Sequence, residues 1–205
     1  MHVYQRFFMI IIGLCGGSGA GKGTVSGLFL KHGIPSIDAD AVYRELTSRG
    51  SKLLHTLSNE FGAEILSENG ELDRKKLSSI VFSSPEKRRV LNSITHAEIL
   101  RETDKRMIEY QKNGAPAVIF DAPLLFESGF DKRCDVIIAV TAPLEIRIER
   151  LTERDGISAE MASKRISSQL SDDYLIERST FVITNDGDIS NLQEQTDKIV
   201  NKILK

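Results

Sequence analysis

The chain has 205 residues, 40% of them hydrophobic and 27% charged, so a domain of this size can bury a core without disulfide bonds. This composition argues against an intrinsically disordered, collagen-like or coiled-coil protein. The formal net charge of -2 provides no general electrostatic footprint for duplex nucleic acid or an anionic membrane. We therefore expect neither a nucleic-acid partner nor a membrane partner.

The two cysteines, Cys15 and Cys134, lie far apart in the chain and in no metal-binding spacing. They predict neither a disulfide framework nor a zinc site, and they fit a reducing cytosol. The apolar run over residues 7–15 is too short to span a bilayer, which needs about 20 apolar residues. We expect a cytoplasmic protein.

Short apolar runs rich in β-branched residues recur along the chain, separated by longer stretches with helical periodicity. The runs cover residues 7–14, 34–37, 117–120, 136–140 and 181–184. Each run is continuous rather than alternating, which is typical of strands buried on both faces. The sequence therefore predicts an α/β fold with a parallel sheet of about five strands, helices on both faces, and ligands at the carboxyl ends of the strands.

Residues 16–24, called the phosphate loop below, directly follow the first predicted strand and match the G-x-x-x-x-G-K core of a phosphate-binding loop. Glycines are needed there because main-chain amides must curl around phosphate oxygens, which side chains would obstruct. The following helix, predicted over residues 24–31, would add its dipole. The predicted nucleotide-binding residues are Gly17, Gly19, Ala20, Gly21, Lys22, Gly23 and Thr24. Tight strand-to-helix packing is the alternative reason for such glycines.

The residue after Lys22 is Gly23, where the usual motif has the Ser or Thr that binds magnesium. Thr24 stands one position later. Either its hydroxyl reaches the ion, or magnesium is held through water and by carboxylates elsewhere. Small-molecule kinases that resemble adenylate kinase share this Gly-Lys-Gly-Thr ending, so the departure is compatible with nucleotide binding.

Two acids, Asp38 and Asp40, stand at the carboxyl end of the second predicted strand. Acids at this position can orient an attacking hydroxyl and hold a hydrated magnesium ion. We assign Asp40 to the acceptor hydroxyl and leave Asp38 as a helix cap or a magnesium ligand. Asp121, directly after the third predicted strand, is either a second magnesium ligand or an ordinary loop residue.

Two long segments interrupt the alternation of strands and helices. Residues 51–114 are mostly helical with a turn at 67–70, and they predict a helical insertion on the substrate side, with additional core as the alternative. Residues 145–178 are rich in charge and are interrupted at 155–156, which predicts two helices that meet at a hinge and form a lid. We predict one domain over residues 1–205 that contains both segments.

Three arginines, Arg147, Arg150 and Arg154, have the spacing of one helix face. Most neighbours on this predicted helix carry like charges, which repel by about 0.2–0.5 kcal/mol each. A lid that closes over ATP would neutralise such a stripe, whereas salt bridges to the helical insertion are the alternative.

Together these residues resemble the dephospho-CoA kinase family, and the resemblance covers most of the chain. The matching segments are residues 16–24, 37–40, 72–74, 81–82, 91–92, 121–127, 150–151, 154–155, 182–183 and 185–187, with Ile94, His96, Arg165 and Gln169. The stretch Pro-Leu-Leu-Phe-Glu at 123–127 is more specific than the phosphate loop.

The resemblance implies a kinase that uses ATP and Mg²⁺ to phosphorylate the ribose 3′-hydroxyl of dephospho-CoA. We expect a monomer or a weak homo-oligomer. It implies catalytic roles for Asp40, Lys22 and Arg147. It further places Arg150 and Asn185 at ATP, and His96, Leu124 and Phe126 at the substrate.

The chain departs from the family pattern at three places. The family usually has Lys-Ser-Thr where this chain has Lys22-Gly23-Thr24, His-Pro where it has His96-Ala97, and Ala-Asp where it has Ser179-Thr180. The nearest alternative is a nucleoside monophosphate kinase. A GTP-binding switch would need an Asn-Lys-x-Asp stretch, and residues 185–188 lack the lysine.

Overall fold

The structure, a computed structural model, describes residues 9–205 of the chain. The first two residues of the predicted first strand, Phe7 and Phe8, and the role of residues 1–8 lie outside this range. The described residues divide into two units, one formed by residues 9–37 and 108–205 and the other by residues 38–107. None of the helices between residues 9 and 205 combines the length and the apolar character needed to cross a membrane.

The predicted sheet is confirmed. Its five strands are β1 Ile10–Cys15, β2 Ser36–Asp38, β3 Ala117–Asp121, β4 Val136–Thr141 and β5 Phe181–Thr184, in the order β2-β3-β1-β4-β5. Strand β1 pairs in parallel with β3 and β4, and β4 pairs in parallel with β5. Because β1 lies between β3 and β4, the chain that leaves β1 emerges beside the carboxyl ends of both neighbours.

The central strands are buried because both of their faces are covered. Ile12, Leu14 and Ile138 are fully buried in a core that also contains residues of α1 (Lys22–Leu30) and α9 (Ile189–Ile203). The connection between β3 and β4 packs against Gly13 so closely that a Cβ there would lie 2.8 Å from Cys134 Sγ. This double coverage explains why the strands read as continuous apolar runs.

The first unit also contains three consecutive helices between β4 and β5. They are α6 Leu144–Asp155, α7 Ala159–Ser167 and α8 Asp172–Glu177. Helix α6 ends at Gly156, whose φ of 65° is left-handed, and Ser158 and Ser171 cap α7 and α8 through their side chains. The predicted interruption at 155–156 is therefore confirmed, but the prediction of two helices was wrong, because Ser171 caps a third helix. The assignment of residues 145–178 as a lid stays a prediction.

The second unit consists of helices around its own apolar core. Its helices are α2 Ala39–Leu46, α3 Lys52–Phe61, α4 Arg74–Phe82 and the first part of α5, Pro85–Lys112. Leu53, Leu57, Phe61, Leu77 and Val81 form the core, and the predicted turn at 67–70 is closed by a 2.9 Å hydrogen bond from Gly70 N to Ser67 O. This unit begins before residue 51 because Leu46 of α2 packs against the same core. The division into one domain with an insertion at 51–114 stays a prediction.

The helical unit should be sensitive to loss of a core side chain. Leu57 is fully buried, and Leu57→Ala should lower the free energy of unfolding by about 2–5 kcal/mol because it leaves a cavity. Denaturant unfolding measures this change. Glu60→Ala, at an exposed position of the same helix, is the matched control and should change stability by less than about 0.5 kcal/mol. Equal effects of the two variants would contradict the core assignment.

The thiol of Cys134 should react slowly in the folded protein. Burial, together with the smaller effect of the charges of Asp131 and Asp135, raises its pKa from 9.0 to about 12. Because the thiolate is the nucleophile, alkylation at about pH 8 should be much slower in the native protein than in urea. Mass spectrometry of the peptide that carries Cys134 reports the rate. A native rate equal to the unfolded rate would show that the thiol is ionised and accessible.

Candidate active site

The phosphate loop turns directly from β1 into α1. Gly19 and Gly21 have φ values of 79° and 91°, which strongly favour glycine, and Gly21 is the cap residue of α1. Helix α1 begins at Lys22, two residues before the predicted start. The earlier start arises because Gly21 takes the left-handed conformation itself and Lys22 already has helical geometry.

Some glycines of the loop are closely packed by side chains from other segments of the chain. A Cβ at Gly17 would overlap the Arg147 guanidinium, and a Cβ at Gly21 would overlap the Asn185 side-chain amide. At Gly23, by contrast, a Cβ would meet nothing within 4 Å. Gly23, the position that departs from the usual motif, is therefore free of steric restriction from the rest of the chain.

The amides of the loop form a cradle suited to an anion. Within residues 9–205, the main-chain N–H groups of Gly19, Gly21, Lys22 and Gly23 have no acceptor. Successive free amides at the start of a helix bind phosphate because the N–H groups and the helix dipole both favour negative charge. The free amides of the loop therefore suit a phosphate group, as the glycine motif predicts.

Lys22 lies across the ends of two neighbouring strands. Its Nζ donates a 3.2 Å hydrogen bond to Gly16 O and lies 3.7 Å from Asp121 Oδ1. Asp121 is placed there because its strand β3 pairs with β1, Leu14 lying opposite Asp121. The structure therefore brings Lys22 and Asp121 together at the phosphate loop. The role of Asp121 as a magnesium ligand stays a prediction.

Arg147 braces the loop from helix α6. It is only 5% exposed, and its Nε donates a 2.9 Å hydrogen bond to Ser18 O. Its Nη1 contacts both carboxylate oxygens of Asp172, at 3.1 and 3.2 Å. The partners of this arginine lie in the first unit rather than in the helical segment 51–114. Its predicted catalytic role is not tested by these contacts.

Arg150 and Asn185 hold the next two carbonyl groups of the loop. Arg150 Nη1 donates to Gly19 O at 3.1 Å, and Asn185 Nδ2 donates to Ala20 O at 2.9 Å. The two side chains also bind each other, through Arg150 Nη2 and Asn185 Oδ1 at 3.0 Å. Arg154 instead pairs with Asp155 at the end of α6. Of the three arginines on the predicted helix face, Arg147 and Arg150 therefore bind the loop and Arg154 does not. Contact of Asn185 with adenine stays a prediction.

Asp38 and Asp40 lie at the start of α2 in the second unit. Asp38 Oδ1 accepts hydrogen bonds from Asp40 N at 2.8 Å and Ala41 N at 3.0 Å, so Asp38 is the helix cap. Asp40 is exposed in the first turn, and its carboxylate has no partner within the described part of the chain. A carboxylate in this state is available to a substrate hydroxyl.

The three residues that the resemblance places at the substrate lie in different environments. His96 is half-buried in the part of α5 that belongs to the second unit. In the first unit, Leu124 is 58% exposed, whereas the Phe126 ring packs edge-on against Tyr174 with centroids 5.7 Å apart. Their substrate contacts stay predictions.

Two residues that support the loop have contacts that the sequence does not predict. Gln169 Oε1 accepts a 2.8 Å hydrogen bond from Ser18 N, whereas the sequence only places Gln169 among the residues that resemble the family. Asp172, which holds Arg147, carries no such signal. Its sequence context, directly after Ser171, indicates only a helix start, because Ser at this position caps α8.

The two loop glycines at positions 21 and 23 should respond in opposite ways to alanine. Gly21→Ala should destabilise the protein by at least about 1–2 kcal/mol, since L-residues resist positive φ and the Cβ overlaps Asn185. Gly23→Ala is the matched control and should be neutral or stabilising by up to about 1 kcal/mol in the first turn of α1. Thermal unfolding measures both changes, and equal destabilisation would contradict this packing.

Comparisons with known proteins find similarity to dephospho-CoA kinases over nearly the whole chain. The family model of CoaE, dephospho-CoA kinase, matches residues 10–191. Dephospho-CoA kinase from Bacillus cereus is 40% identical over 193 residues, which cover 94% of this chain and 96% of the relative.

Two solved structures extend this similarity to the fold. TT1252 from Thermus thermophilus has a TM-score of 0.82 at 33% identity and covers 98% of this chain and 100% of its own. Dephospho-CoA kinase from Campylobacter jejuni has a TM-score of 0.67 at 25% identity, covering 94% of this chain and 96% of its own. The matched range includes the phosphate loop, all five strands and helices α6 to α8. The chain belongs to the dephospho-CoA kinase family.

Proposed function

We propose that this chain carries out the reaction of its family as an ATP-dependent kinase. The γ-phosphoryl group of ATP is transferred to the ribose 3′-hydroxyl of dephospho-CoA, and the products are ADP and coenzyme A. This is the last step of coenzyme A biosynthesis. The observation that carries the proposal is the cradle of free amides at Gly19, Gly21, Lys22 and Gly23, in a chain that belongs to this family.

The loop and Lys22 fix the phosphoryl donor. Phosphoryl transfer demands little covalent participation from the protein, so positioning and charge stabilisation supply most of the catalysis. The amides are already oriented before ATP arrives, and they lose little entropy on binding. Lys22 adds a full positive charge beside the cradle. Ala20 and Thr24 complete the predicted ATP-binding residues of the loop.

The acceptor hydroxyl is assigned to Asp40. Its exposed carboxylate can accept a hydrogen bond from the ribose 3′-hydroxyl and take its proton as the phosphoryl group is transferred. Arg147 is assigned to the charge that develops on the transferring group, and Arg150 and Asn185 to ATP. Dephospho-CoA is assigned to His96, Leu124 and Phe126 together with residues 51–114, and residues 145–178 act as the lid.

Magnesium is assigned to oxygen atoms of Thr24, Asp38 and Asp121. Within residues 9–205, no group of three or more His, Cys, Asp or Glu side chains comes together as a metal cage. Such a cage is unnecessary, because Mg²⁺ is usually held by one or two carboxylates, waters and the substrate phosphates. Asp121 beside Lys22 supplies one such carboxylate, so its chemistry fits the ion. When bound, it would neutralise charge on the phosphate oxygens.

A cytoplasmic location and small-molecule partners are proposed from the net charge and the cysteines of the sequence. The net charge of -2 favours small-molecule partners over nucleic acid or anionic membranes. The two cysteines are free thiols, which suits a reducing cytoplasm. We expect a monomer or a weak homo-oligomer.

The test is a mass gain of one phosphate on dephospho-CoA, measured with purified protein and ATP. Asp40→Asn should lower kcat by about 10²–10⁴-fold, because asparagine cannot accept the proton. Asp38→Asn is the matched control for charge and position. Asparagine caps helices as well as aspartate does, so this variant should fold normally and lose less activity.

Circular dichroism of both variants shows whether the fold is retained. Phosphorylation of AMP or CMP but not of dephospho-CoA would contradict the proposed substrate. Equal activity of Asp40→Asn and the unchanged protein would contradict the role of Asp40.

A further inference from the structure

Both main-chain polar groups of the loop residue Ser18 are held by side chains from the segment between β4 and β5. Ser18 N donates to Gln169 Oε1 at 2.8 Å, and Ser18 O accepts from Arg147 Nε at 2.9 Å. Arg147 in turn is held by Asp172 at the start of α8. Residues 168–172, the connection from α7 to α8 and the first residue of α8, therefore contact the loop directly through Gln169 and indirectly through Asp172.

The position of the Arg147 guanidinium is restricted by its neighbours. Its Nη2 lies so close to Gly17 that a Cβ there would overlap it, and the residue is 5% exposed. Asp172 binds Nη1 with both of its oxygens, at 3.1 and 3.2 Å. The carboxylate thus anchors the Nη1 end of the guanidinium, and this anchor restricts where Nε points.

The direction of Nε matters because a trans peptide is planar. The C=O of Ser18 and the N–H of Gly19 belong to one peptide unit and point in opposite directions. When Arg147 holds Ser18 O on one side, the amide of Gly19 must point to the other. That amide is one of those without an acceptor within residues 9–205.

We propose that Asp172 is a positioning residue for ATP: through Arg147 it fixes the peptide between Ser18 and Gly19 and so aims the Gly19 amide at a phosphate oxygen. This inference rests on the proposed binding of ATP at the phosphate loop. Asp172 itself need not touch the nucleotide. Its effect should appear in the affinity for the phosphoryl donor and leave the acceptor unaffected.

A purely structural role for Asp172 predicts different behaviour. A buried arginine needs a partner for its charge, and loss of the carboxylate then lowers stability alone. Positioning predicts a change in the KM for ATP in protein that is still folded. The two roles are separated by measuring ATP binding and unfolding on the same variants.

The experiment compares Asp172→Asn with Asp173→Asn in the full chain. The control removes the same charge one residue later, from an exposed side chain in the first turn of α8. We expect Asp172→Asn to weaken ATP binding and raise the KM for ATP by about 10-fold to 100-fold, with an unchanged KM for dephospho-CoA. The control should match the unchanged protein. Calorimetry with ATP alone and steady-state kinetics measure these values at a temperature where unfolding curves show folded protein.

A double-mutant cycle tests whether the effect passes through Arg147. In an Arg147→Met background, Asp172→Asn should have little further effect on ATP affinity. Additive losses would overturn the inference, as would a KM for ATP that Asp172→Asn leaves unchanged.

Asp172→Glu carries the test if Asp172→Asn does not fold. It keeps the charge but shifts the oxygens by one methylene, so positioning predicts a KM for ATP above that of the unchanged protein at similar stability. An unchanged KM would overturn the inference. Failure of the unchanged protein to bind ATP would instead contradict the proposed function, and the two failures are thereby distinguished.

Discussion

The site depends on how the carbonyl oxygens of the phosphate loop are bound by the rest of the chain. Lys22, Arg147, Arg150 and Asn185 each donate a hydrogen bond to a different loop carbonyl. Because N–H and C=O point in opposite directions across a trans peptide, holding Ser18 O and Ala20 O turns the amides of Gly19 and Gly21 away from the side chains that hold these carbonyls. The loop thereby presents free amides without any ligand to order them.

The sheet explains why these side chains can reach the loop. Strand β1 lies between β3 and β4, and β5 follows β4, so the carboxyl ends of β3, β4 and β5 lie beside or near the loop. Asp121 ends β3, helix α6 with Arg147 follows β4, and Asn185 follows β5. Burial of β1 on both faces gives the loop a rigid base. The same order of strands therefore provides both the support and the binding groups.

The local features of the site could be predicted because they depend on residues close in sequence. The glycine spacing, Lys22 and the strand before them identified the loop, and Asp38 was recognised as a possible helix cap. The spacing of the three arginines indicated that they share one helix face, but it did not indicate which groups they bind. Arg147 and Arg154 have similar sequence surroundings, yet one binds a loop carbonyl and the other binds Asp155. Their difference arises from packing between segments far apart in the chain.

By itself, the sequence determined the parallel α/β architecture, the phosphate loop and the family, because apolar periodicity and closely spaced motifs are local properties of a chain. Only the tertiary structure decided that Asp172 holds Arg147, that Gln169 holds the Ser18 amide, and that a Cβ at Gly17 or Gly21 would overlap Arg147 or Asn185. These contacts join residues more than 20 positions apart, and the distance and direction between such residues are set by strand order and helix packing. The spacing of residues along the chain does not determine these distances and directions.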